Sequence, residues 1–338
     1  MSLITSTAFQ VSPTIQTRAF TALGALINLE VDDDYVYQIL VALNTALSKH
    51  EDEWKCPVVS IIRCLCKIVP ALPKTSRYNY LLFWLAVTLL QASEYNVYTD
   101  ATRLLRVTLE NMEKRGMFRS GPVSSILLKC RTPLDEVTAE LDKALKLSFE
   151  SSFSFSLAAI LFKGIRYPTL RVAAEAALRT LLCVTVRSRR KKDTSNGFRD
   201  SVPPDALGYF LALLPVSTTA ETYRRLLDDC NIDEAWLPDA GLDLLGDGES
   251  VAPRISPAFL GVTDSNTALL VTSLVSTMLN TSHGDDTETE MLFSLLSETA
   301  NYFPETVTLA YAVCFFWTGE GVLMIGVQQQ ISIAPRPD

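Results

Sequence analysis

Asp32, Asp33 and Asp34 stand together before an apolar run, and Glu51, Asp52 and Glu53 follow it, which raises the question of a cation site. Adjacent residues on a helix fan out about 100° apart and cannot converge on one ion. The physics favours a helix start instead. A short acid at the N-cap accepts a hydrogen bond from an unpaired backbone N–H, and nearby negative charge suits the positive end of the helix dipole. Val36, Ile39, Leu40, Leu43 and Leu47 then recur at the spacing of one helical face, with Lys49 and His50 at the far end. Beyond capping, the acids could serve as an exposed contact for a partner.

The other chemistry-bearing residues are sparse. His50 lies among acids and His283 in an acidic linker, and neither has a Ser or Cys at a spacing that makes a nucleophile–base pair. Cys56, Cys64 and Cys66 form C-x7-C-x-C, but no second cysteine or histidine pair follows at zinc spacing. Cys64 and Cys66 point to different sides of a helix, so at least one belongs to a core. No glycine-rich phosphate loop occurs, and Gly246-Asp247-Gly248-Glu249 lacks the ordered ligand spacing of a calcium loop. The expectation is therefore no catalytic residue, no metal site and no cofactor.

The sharpest charge feature is the basic cluster Arg187, Arg189, Arg190, Lys191 and Lys192. It opens a stretch, Arg187 to Pro204, that is polar, rich in turn formers and without an apolar face, and an exposed loop is expected there. Nuclear import, an anionic lipid surface or an acidic partner are the functional readings open to this patch. The aromatics Phe83, Trp84, Phe149, Phe153 and Phe155 lie among apolar residues and are expected in the core.

Stepping along the chain, helical patterns recur without an alternating strand run. They cover Thr14 to Leu29, Asp34 to Lys49, Pro57 to Val69, Ser76 to Gln91 and Val97 to Arg115. Starts about 20 residues apart give a helix pair about every 40, the period of HEAT and armadillo arrays. Pro57 suits a first turn, Pro70 and Pro73 stop a helix, and Gly116 follows Lys114 and Arg115 as a C-terminal signal. Further helices are expected at Pro122 to Lys129, Pro133 to Lys146, Phe153 to Gly164, Thr169 to Arg187, Pro204 to Leu214, Thr218 to Asn231, Asp233 to Leu245, Ser265 to Leu279 and Asp286 to Tyr302. The fold class is all-α, a HEAT/armadillo-like α-solenoid of stacked antiparallel helix pairs.

The apolar content of 48% is enough for a large core, and a net charge of −8 gives no reason to bind nucleic acid. The first ten residues lack the basic and apolar regions of a secretory signal, and seven irregularly spaced cysteines suit reduced thiols. A cytoplasmic protein is expected, with peripheral membrane contact open to its basic patch. The run from Val307 to Val327 has the length of a membrane span, but Glu320 and its flanking glycines favour a truncated repeat with an irregular tail.

Three segments add a resemblance. "EVDDDYVYQILVALNTALSKHEDE", "SIIRCLCKIVPALPKTSRYNYLLFWLAVTLLQ" and "LDKALKLSFESSFSFSLAAILFKGIRYP" resemble the region C-terminal to the catalytic module in the neurofibromin/Ira family of Ras GTPase-activating proteins, and look closer to its fungal branch. The likeness covers Thr14 to Arg187, is looser from Pro204 to Thr306 and is absent from the tail. It divides the chain into repeats over 1–188, the basic loop 189–203, further repeats over 204–306 and the tail 307–338. The family's catalytic domain presents an arginine finger from F-L-R- and R-F-x-x-P-A-like segments, and neither occurs here. Phe118-Arg119 and Phe198-Arg199 lack the surrounding motif. The resemblance thus implies a non-catalytic scaffold segment of a Ras regulator, acting through protein partners, through dimer formation and through a Ras-type GTPase held by the rest of its parent. An unrelated solenoid adaptor and a direct GTPase activator are the rival readings. A piece of a longer array should self-associate through apolar helix faces at its ends, Phe20, Leu23 and Ile27 on one side and Tyr311, Phe315 and Phe316 on the other.

Overall fold

Caps and breakers written into the sequence set the helix limits. Asp32 accepts a 2.8 Å hydrogen bond from the Tyr35 N–H and starts a helix at Asp33, while Pro13 enters the first turn of another. Pro70 ends a helix in a short 3₁₀ turn, Val69–Ala71, and Gly116 takes a left-handed conformation (φ 68°) directly after another. The computed structural model describes residues 8, 12–27, 31–49, 55–92, 94–131, 149–190, 201–217, 219–232, 255–280, 286–308 and 310. Among these residues there is no strand, and the α-helices are α1 (Pro13–Leu26), α2 (Asp33–Leu47), α3 (Lys55–Ile68), α4 (Tyr78–Leu89), α5 (Tyr95–Lys114), α6 (Val123–Lys129), α7 (Phe149–Ile165), α8 (Pro168–Arg190), α9 (Leu207–Leu213), α10 (Ala220–Cys230), α11 (Ser265–Leu279) and α12 (Asp286–Tyr302). The all-α class is therefore met. The helices expected at Pro133 to Lys146 and Asp233 to Leu245, and the tail beyond 310, lie outside the described residues.

The chain divides into two compact units. The first comprises Met1–Glu150 and Tyr167–Val184. Within it α3 packs against α1 and α5, α2 lies on α3, and α4 lies on α5. α1, α3 and α5 thus form one row, with α2 laid on α3 and α4 on α5, as in the packing of a helical repeat. The carbonyls released where Pro70 stops α3 are taken up by neighbours. Asn111 Nδ2 donates to the Val69 carbonyl at 3.1 Å, Arg115 Nη2 to Pro70 at 2.8 Å and the Val31 N–H to Ala71 at 3.2 Å. Deeper in, Trp84 donates its indole N–H to the Leu127 carbonyl (3.1 Å) and meets Phe83 and Phe149 edge-to-face. The Arg131 guanidinium, 6% exposed, covers Trp84 and Phe149 at 4.8 and 5.1 Å.

Two sequence expectations change here. The inner face of α2 is Val36, Ile39, Ala42, Leu43 and Ala46, whereas Leu47 is 44% exposed and Leu40 half-buried. Small alanines occupy the centre of that face, and the two leucines flank it. Phe20 and Leu23 of α1 are not an exposed end, because both are buried within unit 1, where α1 packs on α3, and Ile27 is half-buried. Tyr311, Phe315 and Phe316 lie outside the described residues.

The second unit comprises Ser151–Arg166 and Thr185–Asp338. All seven residues of α9 are buried, α11 packs against α9 and α12, and Phe210 meets Phe259 with ring centres 6.4 Å apart. At Gly208 the two backbones nearly touch: a Cβ there would sit 2.6 Å from Phe155 N and from the Ser154 carbonyl. Phe83, Trp84, Phe149, Phe153 and Phe155 are all buried, as expected.

Candidate interaction surfaces

The basic patch begins on a helix rather than in a loop. α8 continues to Arg190, three residues past the expected end, because Val186 and Ser188 still face the core, at 4% and 8% exposure. Arg187 is exposed, and Arg189 is tied to Asp205 by a 3.1 Å ion pair. The Arg190 side chain, Lys191 and Lys192 lie outside the described part of the structure. The stretch that follows is also not wholly exposed, since Val202 is fully buried and Ser201 lies near Gly261. The described part of the patch thus contains one exposed arginine and one neutralised by a carboxylate.

The acidic trio is divided among three environments. Asp32 caps α2, Asp33 accepts a hydrogen bond from Ser76 Oγ, and Asp34 is exposed. Cys64 and Cys66 are both core residues, at 1% and 7% exposure. Burial pushes both thiols up to about 12, helped at Cys64 by Cys66 and at Cys66 by Asp100, so neither is a thiolate at neutral pH. Among the described residues no group of three or more His, Cys, Asp or Glu could hold a metal ion. His50 and His283 lie outside them.

Three arginines of the repeat helices are engaged by carboxylates. Arg63 Nε bonds Asp100 Oδ2 at 2.9 Å, Arg106 pairs with Glu110 at 3.6 Å and Arg179 with Glu175 at 3.1 Å. Asp100 is 3% exposed; burial raises its carboxyl above the ordinary value, against the opposing pull of Arg63 and Arg103.

A groove of about 760 Å³ opens in unit 1 between α1, α3 and the start of α5. Thr17, Thr21 and Gly24 of α1 form one wall, Lys55, Ser60, Arg63 and Lys67 of α3 the other, and Glu94 and Asn96 close one end. Gly24 brings the walls together at the floor, where a Cβ would lie 3.5 Å from Cys64 Cα. Sequence reasoning missed this site. Its trace is the spacing of Lys55, Arg63 and Lys67, eight and four residues apart along one side of α3, which an apolar-periodicity reading passes over.

Side chains and packing define an all-α helical-repeat protein. No family model matches the chain. Among solved structures, an engineered protein known from its crystal structure is similar over 98% of this chain and 86% of its own length, at 12% identity and a TM-score of 0.27. Among the described residues no helix is long and apolar enough to cross a membrane.

Proposed function

We propose that this chain is a non-catalytic, helical-repeat scaffold segment of a Ras GTPase-activating protein of the neurofibromin/Ira class, acting in the cytoplasm on Ras signalling through protein contacts. The resemblance of the three quoted segments supplies the family, and one structural observation supports the absence of catalysis. An arginine finger must reach charge that develops on a partner's phosphate, and of the repeat-helix arginines Arg106 and Arg179 are each paired with a carboxylate of their own helix. The row formed by α1, α3 and α5 supports the scaffold role, because a row of stacked helices offers a long surface to other proteins.

The test is single-turnover GTP hydrolysis by Ras with saturating chain. The rate should stay within about threefold of Ras alone, against the 10³ to 10⁵ that an arginine finger supplies. A rate increase of about a hundredfold that one Arg→Ala substitution abolished would establish a direct activator instead. A pull-down recovering a full-length Ras regulator would support the scaffold reading, and recovery of unrelated cargo alone would favour the adaptor.

A further inference from the structure

We propose that the groove of unit 1 binds an acidic segment of a partner protein, held in extended conformation with two carboxylates at alternating positions. The chain as a whole carries a net charge of −8, so a groove with three cations along one wall is a local reversal of sign. Those cations differ in what they can offer. Lys55 is bonded to Glu94, which weakens that end. The Arg63 side chain is 59% exposed and, among the described residues, gives its Nε to Asp100, leaving its Nη donors for a ligand. Lys67 is exposed and makes no ion pair or hydrogen bond among the described residues. The attraction for an anion is therefore concentrated at Arg63 and Lys67.

Spacing selects the conformation of the ligand. Four residues along α3 separate these two cations by about 6 Å. In an extended peptide, residues i and i+2 point the same way and lie about 6.6 Å apart. A Glu-x-Glu or Asp-x-Asp segment therefore presents its carboxylates in register with Arg63 and Lys67. The opposite wall suits the peptide backbone. The hydroxyls of Thr17 and Thr21 donate to carbonyls of their own helix, at 2.9 and 2.8 Å, which leaves their oxygens free to accept peptide N–H groups. A volume of about 760 Å³ lies in the range of sites that enclose a ligand rather than a flat contact. A bilayer surface or a nucleic acid fits less well, because a flat surface does not enter a walled groove and Phe20, its aromatic, is fully buried and cannot stack on a base.

The probe is a fluorescein-labelled octapeptide with glutamates at its fourth and sixth positions, and its partner carries glutamine at both. Binding to the full chain is followed by fluorescence anisotropy in low salt. The glutamate peptide should bind at least about tenfold more tightly than the glutamine peptide, and added salt should weaken it. Lys67→Glu should lower affinity at least about tenfold, with Lys67→Arg within about twofold of the native chain. Equal binding of the two peptides, or an unchanged affinity in Lys67→Glu with helical content intact, overturns the proposal. If Lys67→Glu loses helical content, Lys67→Gln decides in its place, with the same two outcomes. Recruitment to phosphatidylserine vesicles that depends on Lys67 and is not displaced by the glutamate peptide also overturns it, in favour of a lipid site. No GTPase enters these measurements, so this inference and the Ras reading can fail separately.

Discussion

Gly208 is the residue on which unit 2 has least freedom. Its missing side chain lets α9 cross the backbone of Ser154 and Phe155, and neither backbone can yield as a flexible side chain would. Gly208→Ala should therefore cost about 3 kcal/mol, since forced overpacking in a closed core commonly costs 1–3 kcal/mol and occasionally more. Urea denaturation monitored by helical signal checks this, and an unchanged midpoint would mean that the helices separate at no cost. Nothing in the sequence marks this glycine, which stands inside the apolar run LGYFLAL with apolar neighbours on both sides. Asp32, by contrast, was legible as a cap because capping is local chemistry, confined to one residue and the next turn.

At the scale of elements, α3 and α5 are joined by the bond between Arg63 and Asp100. Burial raises the Asp100 carboxyl above its ordinary value of 3.8. The folded state therefore binds the proton more tightly than the unfolded chain, and the contribution of Asp100 to stability falls as pH rises from that ordinary value through the folded one. Arg63 limits this loss by favouring the ionised form. Arg63→Ala should destabilise the chain by about 1 kcal/mol at pH 7, a modest figure because the exposed guanidinium is screened by water. The difference should vanish in acid, once Asp100 is protonated. Thermal unfolding of both chains across pH 4 to 7, the span from near the ordinary carboxyl value to neutrality, measures this; a difference independent of pH would assign the effect of Arg63 to packing alone. Helix limits were largely legible at this scale: α11 and α12 match the expected Ser265 to Leu279 and Asp286 to Tyr302. α8 was not, because its last turn is held by tertiary contacts: Val186 and Ser188 are buried and Arg189 pairs with Asp205.

For the whole molecule, periodicity finds helices without saying which of them share a core. The repeat spacing looks alike throughout, yet the first unit takes back Tyr167–Val184 after the chain has left it at Glu150, and the residues of α7 and α8 are divided between the units. The same blindness explains α1. Phe20 and Leu23 are apolar and near one end of the sequence, which suggests an open edge, but α1 spends that face on α3. The groove beside it arises from three helices at once, so no single segment carries its signature beyond the spacing of cations on α3.

The fully buried α9 has a consequence in time. Leu207, Tyr209, Phe210, Leu211, Ala212 and Leu213 are each at most 1% exposed, so water cannot reach the backbone of this helix through a local fluctuation of its ends. An amide exchanges its hydrogen for deuterium only when its bond opens and solvent arrives, and deep elements do so only when their surroundings unfold. In native-state exchange the amides of α9 should be the slowest of unit 2 and should share the denaturant dependence of its unfolding. Those on the exposed side of α10, around Arg224 and Arg225, should exchange through smaller openings that denaturant barely affects. Rapid exchange along α9 would show that its burial is transient, and that the centre of unit 2 opens far more often than its packing implies.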